Sequence, residues 1–264
     1  MQNTANYPSS LTDRQWESIQ PLLPSRPRGG RPPHHQRRAI LDAIFYVLHA
    51  GCAWRPLPHD FAPWPTVYGY FRRWRQQCLW KRIHATLVQR VRQSVGKKPT
   101  ASAAILDSQS VKSADQAGPR GYDAGKKIKG RKRHVLADTL GLIISVLVTS
   151  SAVHDRDGAR RLLPWLCHHG SRLRLIWADG GYAGALVNWL WQLRTQRRVR
   201  LEIVKRPEGQ RSFPVLPKRW IVERTLGWLM KQRRLRCDYE HLITTSETMI
   251  YIAMIRLMLR RLHP

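Results

Sequence analysis

Acidic residues are scarce in this chain: 17 Asp and Glu stand against 46 Lys and Arg in 264 residues, a formal charge of +29. A protein so short of its own counter-charge repels itself when compact unless a polyanion offsets it. Phosphate is the natural partner, because each basic contact to a nucleic acid releases condensed counterions. Long apolar runs are also missing. No stretch of about 18 uncharged apolar residues occurs, so no helical membrane span is expected. Residues 1–30 hold no apolar signal core behind a basic start, and the expected location is the cytoplasm. Cysteine is sparse too. Cys52, Cys78, Cys167 and Cys237 lie far apart without paired zinc-type spacing, and read as reduced thiols. No internal repeat is found.

What is abundant is core material. Eleven Trp and a 42% share of hydrophobic residues argue for a packed interior and against a solvated basic tail. The charge is spread over both halves: residues 1–98 hold 16 basic and four acidic groups, and residues 99–264 hold 30 and 13. The basic stretch 96–100, with Gly96 and Pro99, separates segments of different periodicity. It divides the chain into a helical part, 1–95, and a mixed part, 101–264.

The first part has helical spacing. Thr12 and Gln15 form a capping-box start ahead of Trp16, Ile19 and Leu23. A Pro/Gly/Arg loop over 24–33 follows. Ile40, Ala43, Ile44, Val47 and Leu48 make an apolar stripe that stops at Gly51. Thr66 opens a further helix with Val67, Tyr70, Phe71 and Trp74 inward and Arg72, Arg73 and Arg75 outward. A last helix is expected over 80–92. Helix, turn and basic-faced helix suggest a small helix-turn-helix-like DNA-binding unit, against the plainer reading of a bundle with solvated arginines.

Beyond residue 100 the period changes. A short strand is expected to end at Asp107, with strands at 133–138 and 142–149 joined by a turn over 139–141. Asp157 would cap a helix through Leu162, Leu163 and Leu166. Another strand, 173–178, would end at Asp179-Gly180-Gly181. A helix over 184–195, a strand over 199–204, and helices over 217–234 and 245–261 complete the chain. This order matches an RNase H-like α/β fold: a mixed five-stranded sheet flanked by helices.

Asp107 and Asp179 would each end a buried strand, where α/β sheets open onto their ligand crevice. Glu223 lies on the long helix, one turn after Arg219. Any one of these acids alone reads as a cap, a turn starter or an ion-pair partner. Together they suit phosphodiester chemistry, in which two Mg²⁺ ions about 3.5–4 Å apart activate the attacking oxygen and stabilise the leaving one. Mg²⁺ favours a few carboxylates plus water and substrate oxygens. Residues 120–134 hold seven Lys and Arg against Asp123 and read as a phosphate-tracking loop that includes Lys126, Lys127, Lys129, Arg131, Lys132 and Arg133. Arg224, Lys231, Arg233, Arg234 and Arg236 ride with Glu223 and would position a duplex. His154, Asp155 and Asp157 read as a turn plus a helix cap, the Trp-rich 186–191 stripe as core, and the pairs His34-His35 and His168-His169 as non-functional.

Several short runs resemble bacterial insertion-sequence transposases of the DDE superfamily, in the IS-five-like group. They are Ile105-Leu106-Asp107-Ser108-Gln109-Ser110-Val111-Lys112, Gly121-Tyr122-Asp123-Ala124-Gly125-Lys126-Lys127, Gly130-Arg131-Lys132-Arg133-His134, Asp179-Gly180-Gly181-Tyr182, and Val222-Glu223-Arg224-Thr225 through Arg233-Arg234-Leu235. Leu11-Thr12-Asp13 and Gly51-Cys52-Ala53-Trp54-Arg55-Pro56-Leu57-Pro58 resemble the same group's small helical domain.

The resemblance implies a bacterial, nucleoid-associated transposase whose Asp107, Asp179 and Glu223 hold two Mg²⁺ ions, with Mn²⁺ as a substitute. It also implies cleavage and strand transfer on double-stranded DNA, at element terminal repeats and target, by a homodimer. In a related signature Arg219 takes the arginine position, while Leu216 stands where that signature has Tyr, and Met230, followed by Lys231, where it has a basic residue. Two rivals remain on the residues alone: a nuclease or resolvase that hydrolyses without joining, and a non-catalytic DNA-binding regulator using residues 36–92.

Overall fold

The chain begins its regular structure at the capping box: Thr12 accepts the Gln15 N–H at 3.3 Å while Gln15 caps the Thr12 N–H, opening α1 over Asp13–Ile19. In the computed structural model, which describes residues 7–25, 34–115, 118–169, 172–193, 198–204 and 218–264, three longer helices follow. Helix α2 spans Arg37–Ala50 and ends at Gly51, whose φ of 75° is left-handed. A side chain at Gly51 would also meet Arg233, so this C-terminus packs backbone-close. Helix α3, Trp64–Gln76, opens earlier than Thr66 because Pro65, lacking an N–H, fits the first turn. Helix α4 covers Leu79–Ser94. Of the 24–33 loop, residues 26–33 lie outside the described residues.

Among the described residues six strands form one sheet: β1 Ala103–Lys112, β2 Gly121–Asp123, β3 Ile128–Asp138, β4 Ile143–Ser150, β5 Leu175–Ala178 and β6 Arg200–Ile203. Strand β3 pairs antiparallel with β1 on one edge and with β4 on the other, where β2 continues the ladder from Gly130 to Ile128. Strands β5 and β6 then add parallel to β1. The expected five-strand arrangement is present, and β2 is the unforeseen sixth. Gly141, at φ 79°, closes the β3–β4 turn by donating to the Asp138 carbonyl at 2.9 Å.

Alternation along the strands divides the core in two. Ile105, Val135 and Ala137 face α8, Trp220–Met230, and α10, Ile243–Leu262. Ala104, Leu106 and Leu136 face α5, Asp155–Leu162, and α7, Ala185–Gln192. Between α5 and β5 lies the one-turn α6, Leu166–His169. Helix α10 also packs on α4 and α2, so the N-terminal helices and one sheet face share a continuous core from Ile19 through Phe45 and Trp80 to Ile255. A buried Arg92–Asp138 ion pair ties α4 to the end of β3. The long helix expected over 217–234 is interrupted. It breaks at Gln232, in extended conformation, before α9, Arg233–Arg236. The break turns Arg234 inward to Glu240 (2.7 Å) and to the Cys52 carbonyl (2.8 Å). On α7 it is Leu186 and Leu190 that are buried. Trp189 is half-buried against that core, whereas Trp191 is exposed beneath the Arg198 guanidinium, so the core stripe that their spacing suggested holds for one of the two tryptophans.

Candidate active site

Asp107 does not end its strand. Strand β1 runs on to Lys112, and Asp107 sits opposite Val135 in the middle of the β1–β3 ladder. Pairing with β5, however, stops at Ile105, so among the described residues no strand pairs with the β5-facing edge of β1 where Asp107 lies. Asp179 directly follows β5 and accepts the Gly181 N–H at 2.9 Å, starting a turn. Gly180 and Gly181 keep that turn free of side chains. Glu223 stands in the first turn of α8, and Arg219 immediately precedes that helix.

The three acids meet at one cation. Arg219 Nη2 lies 3.9 Å from Asp107, 3.5 Å from Asp179 and 3.5 Å from Glu223. Burial pushes the Asp107 carboxyl up to about 6, reinforced by Asp179 and opposed by the Ser108 N–H, Arg219 and Lys126. Tyr182 is fully buried next to these groups, and burial together with the charges of Asp107, Asp155 and Asp179 raises its phenol well above the usual range.

Hard carboxylate oxygens from three separate elements suit a Mg²⁺-type ion. Their spacing is the one a guanidinium sets, well beyond the 2.0–2.1 Å of a Mg–O bond. Among the described residues no group of three or more His, Cys, Asp or Glu stands at metal-holding distance. Donor chemistry therefore fits, and the present distances require Arg219 to yield.

The basic residues fall into three groups. Lys126, Lys127, Lys129, Lys231, Arg233, Arg236, Arg72 and Arg73 are exposed. Arg75, Arg219 and Arg224 are half-buried: Arg75 bonds Thr244 and Thr245, and Arg224 lies between Trp220 (4.4 Å) and Trp228 (4.6 Å). Arg131, Lys132, Arg133 and Arg234 are buried, which overturns their reading as surface phosphate contacts. For the first three the reason is that β3 starts at Ile128, so residues 128–132 form a paired strand and not a loop; for Arg234 it is the break at Gln232. Arg131 bonds Asp238 (3.1 Å) and Ser246 (2.8 Å), Lys132 bonds Asp123 and Asp155 (3.1 Å each), and Arg133 donates to the Leu235 carbonyl (2.9 Å). Burial lowers the Arg133 guanidinium to about 10.

Helix α5 also departs from expectation. It opens at Asp155 with His154 as its cap residue, and Asp157 makes no cap. The Asp155 carboxylate instead accepts the Ser108 hydroxyl at 2.8 Å. Nothing local in the sequence marks Asp155 as a neighbour of β1, because 47 residues separate it from Ser108. Of the departures from the related signature, Leu216 lies outside the described residues, and Met230 closes α8.

Three antiparallel strands followed by two parallel ones, with helices on both faces, define the RNase H-like class of α/β domains. Residues 98–258 match the family model described as "Transposase DDE domain", and the chain belongs to that family. Residues 11–84 match the model described as "Putative transposase of IS4/5 family". Over 124 residues the chain is 31% identical to the "Insertion element IS402 uncharacterized 16.2 kDa protein" of Burkholderia cepacia, covering 45% of this chain and 78% of that protein. It is 29% identical over 133 residues to the "Putative transposase for insertion sequence element IS402" of the same organism, covering 47% of this chain and 59% of that protein. A third relative, "Uncharacterized protein y4sN" of Sinorhizobium fredii, is 34% identical over 64 residues, 24% of this chain and 51% of its own length. No solved structure matches.

Proposed function

We propose that this protein cleaves DNA strands at the ends of an insertion sequence and joins them to target DNA, with Asp107, Asp179 and Glu223 as the residues that hold two Mg²⁺ ions. Mn²⁺ would serve in their place. The observation that carries the reading is the meeting of three carboxylates, from β1, the end of β5 and α8, around the single Arg219 guanidinium. When bound, the ions would activate the attacking oxygen and stabilise the leaving one. The chain's own groups orient that site. Asp107 and Asp179 are fixed by the Ser108 and Gly181 N–H groups, and Glu223 is presented from the opposite wall by α8.

In the first step a water oxygen forms a bond to phosphorus and the P–O3′ bond breaks, leaving a 3′-hydroxyl and a 5′-phosphate. In the second, that 3′-hydroxyl attacks a target phosphodiester, displaces its 3′ oxygen and loses its proton to solvent. Lys126, Lys127 and Lys129 beside β1, and Lys231 and Arg233 beyond α8, are exposed and suited to phosphates. The helical part, 1–95, would recognise element ends, with Arg72 and Arg73 exposed on its surface, and two copies would hold two ends in the bacterial nucleoid.

Asp179→Asn tests the reading. It keeps the size of the side chain and removes a metal-holding charge. The expected result with a supercoiled element-bearing plasmid and Mg²⁺ is loss of cleavage with DNA binding retained; cleavage at the unsubstituted rate would sink the assignment.

A further inference from the structure

Three charged groups on the α5 side of the sheet take no part in the cleavage reading. The Lys132 side chain, 7% exposed, lies 3.1 Å from Asp123 Oδ2 and 3.1 Å from Asp155 Oδ1. Each acid then reaches β1: Asp155 Oδ1 accepts the Ser108 hydroxyl at 2.8 Å, and Asp123 Oδ2 accepts the Ser110 hydroxyl at 2.6 Å. From the other side, Lys126 Nζ donates to the Ser108 carbonyl at 3.2 Å. A buried lysine shared by two acids is not self-explanatory as a stabilising device, since well-packed apolar side chains serve stability as well or better. What sets this one apart is its address.

Ser108 is the residue after Asp107, and its N–H donates to Asp107 Oδ1 at 2.7 Å. This is also the stretch of β1 that has left β5 behind and, among the described residues, keeps a strand neighbour on one edge only. The ladder to β3 fixes the backbone but leaves the open edge and the Asp107 rotamer to local hydrogen bonds. Ser108 supplies those bonds, and Asp155 and Lys126 hold Ser108.

We infer that Asp155, backed by Lys132, is a positioning residue that locks Ser108 and, through it, sets the Asp107 carboxylate in the orientation a divalent cation needs. This rests on reading Asp107 as a metal holder. Partners that orient a ligating group typically change metal affinity or activity by about 10–100-fold when removed.

The test is Mn²⁺ binding to the full chain at pH 8, followed by the electron paramagnetic resonance of free Mn²⁺, with thermal unfolding measured beside it. Asp155→Asn and Ser108→Ala are each expected to raise the half-saturating Mn²⁺ concentration about tenfold or more. The double variant should lose little beyond either single one, because both act through one link. Lowered Mn²⁺ affinity in variants that remain fully folded at the assay temperature is the readout a purely structural role would not move. Folded Asp155→Asn protein with unchanged Mn²⁺ affinity overturns the inference. If Asp155→Asn does not fold, Ser108→Ala decides in the same way, since it leaves the Lys132 pairs intact. Asp179→Asn separates the two levels. If it too binds Mn²⁺ as the unsubstituted chain does, the metal site itself is wrong; if it alone loses binding, only the brace is wrong.

Discussion

Arg219 stands where the metals of the proposed reaction would go, so removing it should strengthen metal binding while the DNA is absent. The perturbation is Arg219→Ala. Its guanidinium makes three long contacts, at 3.5, 3.5 and 3.9 Å, to acids whose side chains are 45%, 34% and 14% exposed. Pairs of this kind contribute about 0.2–1 kcal/mol each after screening, so displacing the guanidinium costs the entering ion about 0.6–3 kcal/mol in all. At about 1.4 kcal/mol per tenfold, that is a gain of about 3- to 150-fold in Mn²⁺ affinity for the variant. Protons work against the effect: without Arg219 the Asp107 carboxyl, already at about 6 through burial, moves further up. The titration therefore belongs at pH 8, by calorimetry or by Mn²⁺ resonance. An affinity equal to or weaker than that of the unsubstituted chain would refute the reasoning and make Arg219 a fixed wall of the site instead of a displaceable occupant.

Two further outcomes follow from buried charge. His84 is 3% exposed against the Tyr251 ring, and burial lowers its imidazole from 6.5 to about 3. The fold holds it neutral, so its contribution is complete above pH 6.5 and is lost as pH falls from there towards 3, at about 1.4 kcal/mol per unit. Urea unfolding at pH 7 and pH 5 should show the unsubstituted chain losing about 2 kcal/mol relative to His84→Leu; parallel losses would be the wrong answer. Arg131→Met leaves Asp238, whose side chain is 1% exposed, without its ion-pair partner, and should destabilise by about 3–5 kcal/mol. A loss under about 1 kcal/mol together with weaker, less salt-sensitive DNA binding would return Arg131 to the phosphate-binding role its sequence suggested.

The acids of the site were legible for a physical reason. Asp107 interrupts a buried apolar strand and Asp179 ends one, where an unpaired carboxylate is costly, and the Gly180-Gly181 pair marks a close approach. Glu223 lies in the first turn of α8 and Arg219, four residues before it, is that helix's cap residue, a spacing that puts them on one face. Such signals lie within a few residues. The fate of the basic run was not legible, because what buries Arg131 is Asp238, 107 positions away, and what buries Arg234 is the break at Gln232. A charge paired inside the fold and a charge left in water look the same in sequence. The extension of β3 was hidden for the same reason: Lys129, Arg131 and Lys132 read as loop until the ladders to β1, β2 and β4 place them.

That ladder also explains how one strand serves both sides of the sheet. Successive residues of β1 point to opposite faces. Ile105 and Asp107 turn towards α8, which brings Glu223 and Arg219, whereas Leu106 and Ser108 turn towards α5, which brings Asp155. The N-terminal helices reach the same architecture through α10, which packs on α4, α2 and β4 together. A shift of β1 by one residue would exchange the faces, placing Asp107 against Lys132 and Ser108 against Arg219. Nine consecutive pairs from Ala104–Asp138 to Lys112–Gly130 guard against that slip. Their length makes sense as protection of a site in which adjacent residues must face in opposite directions.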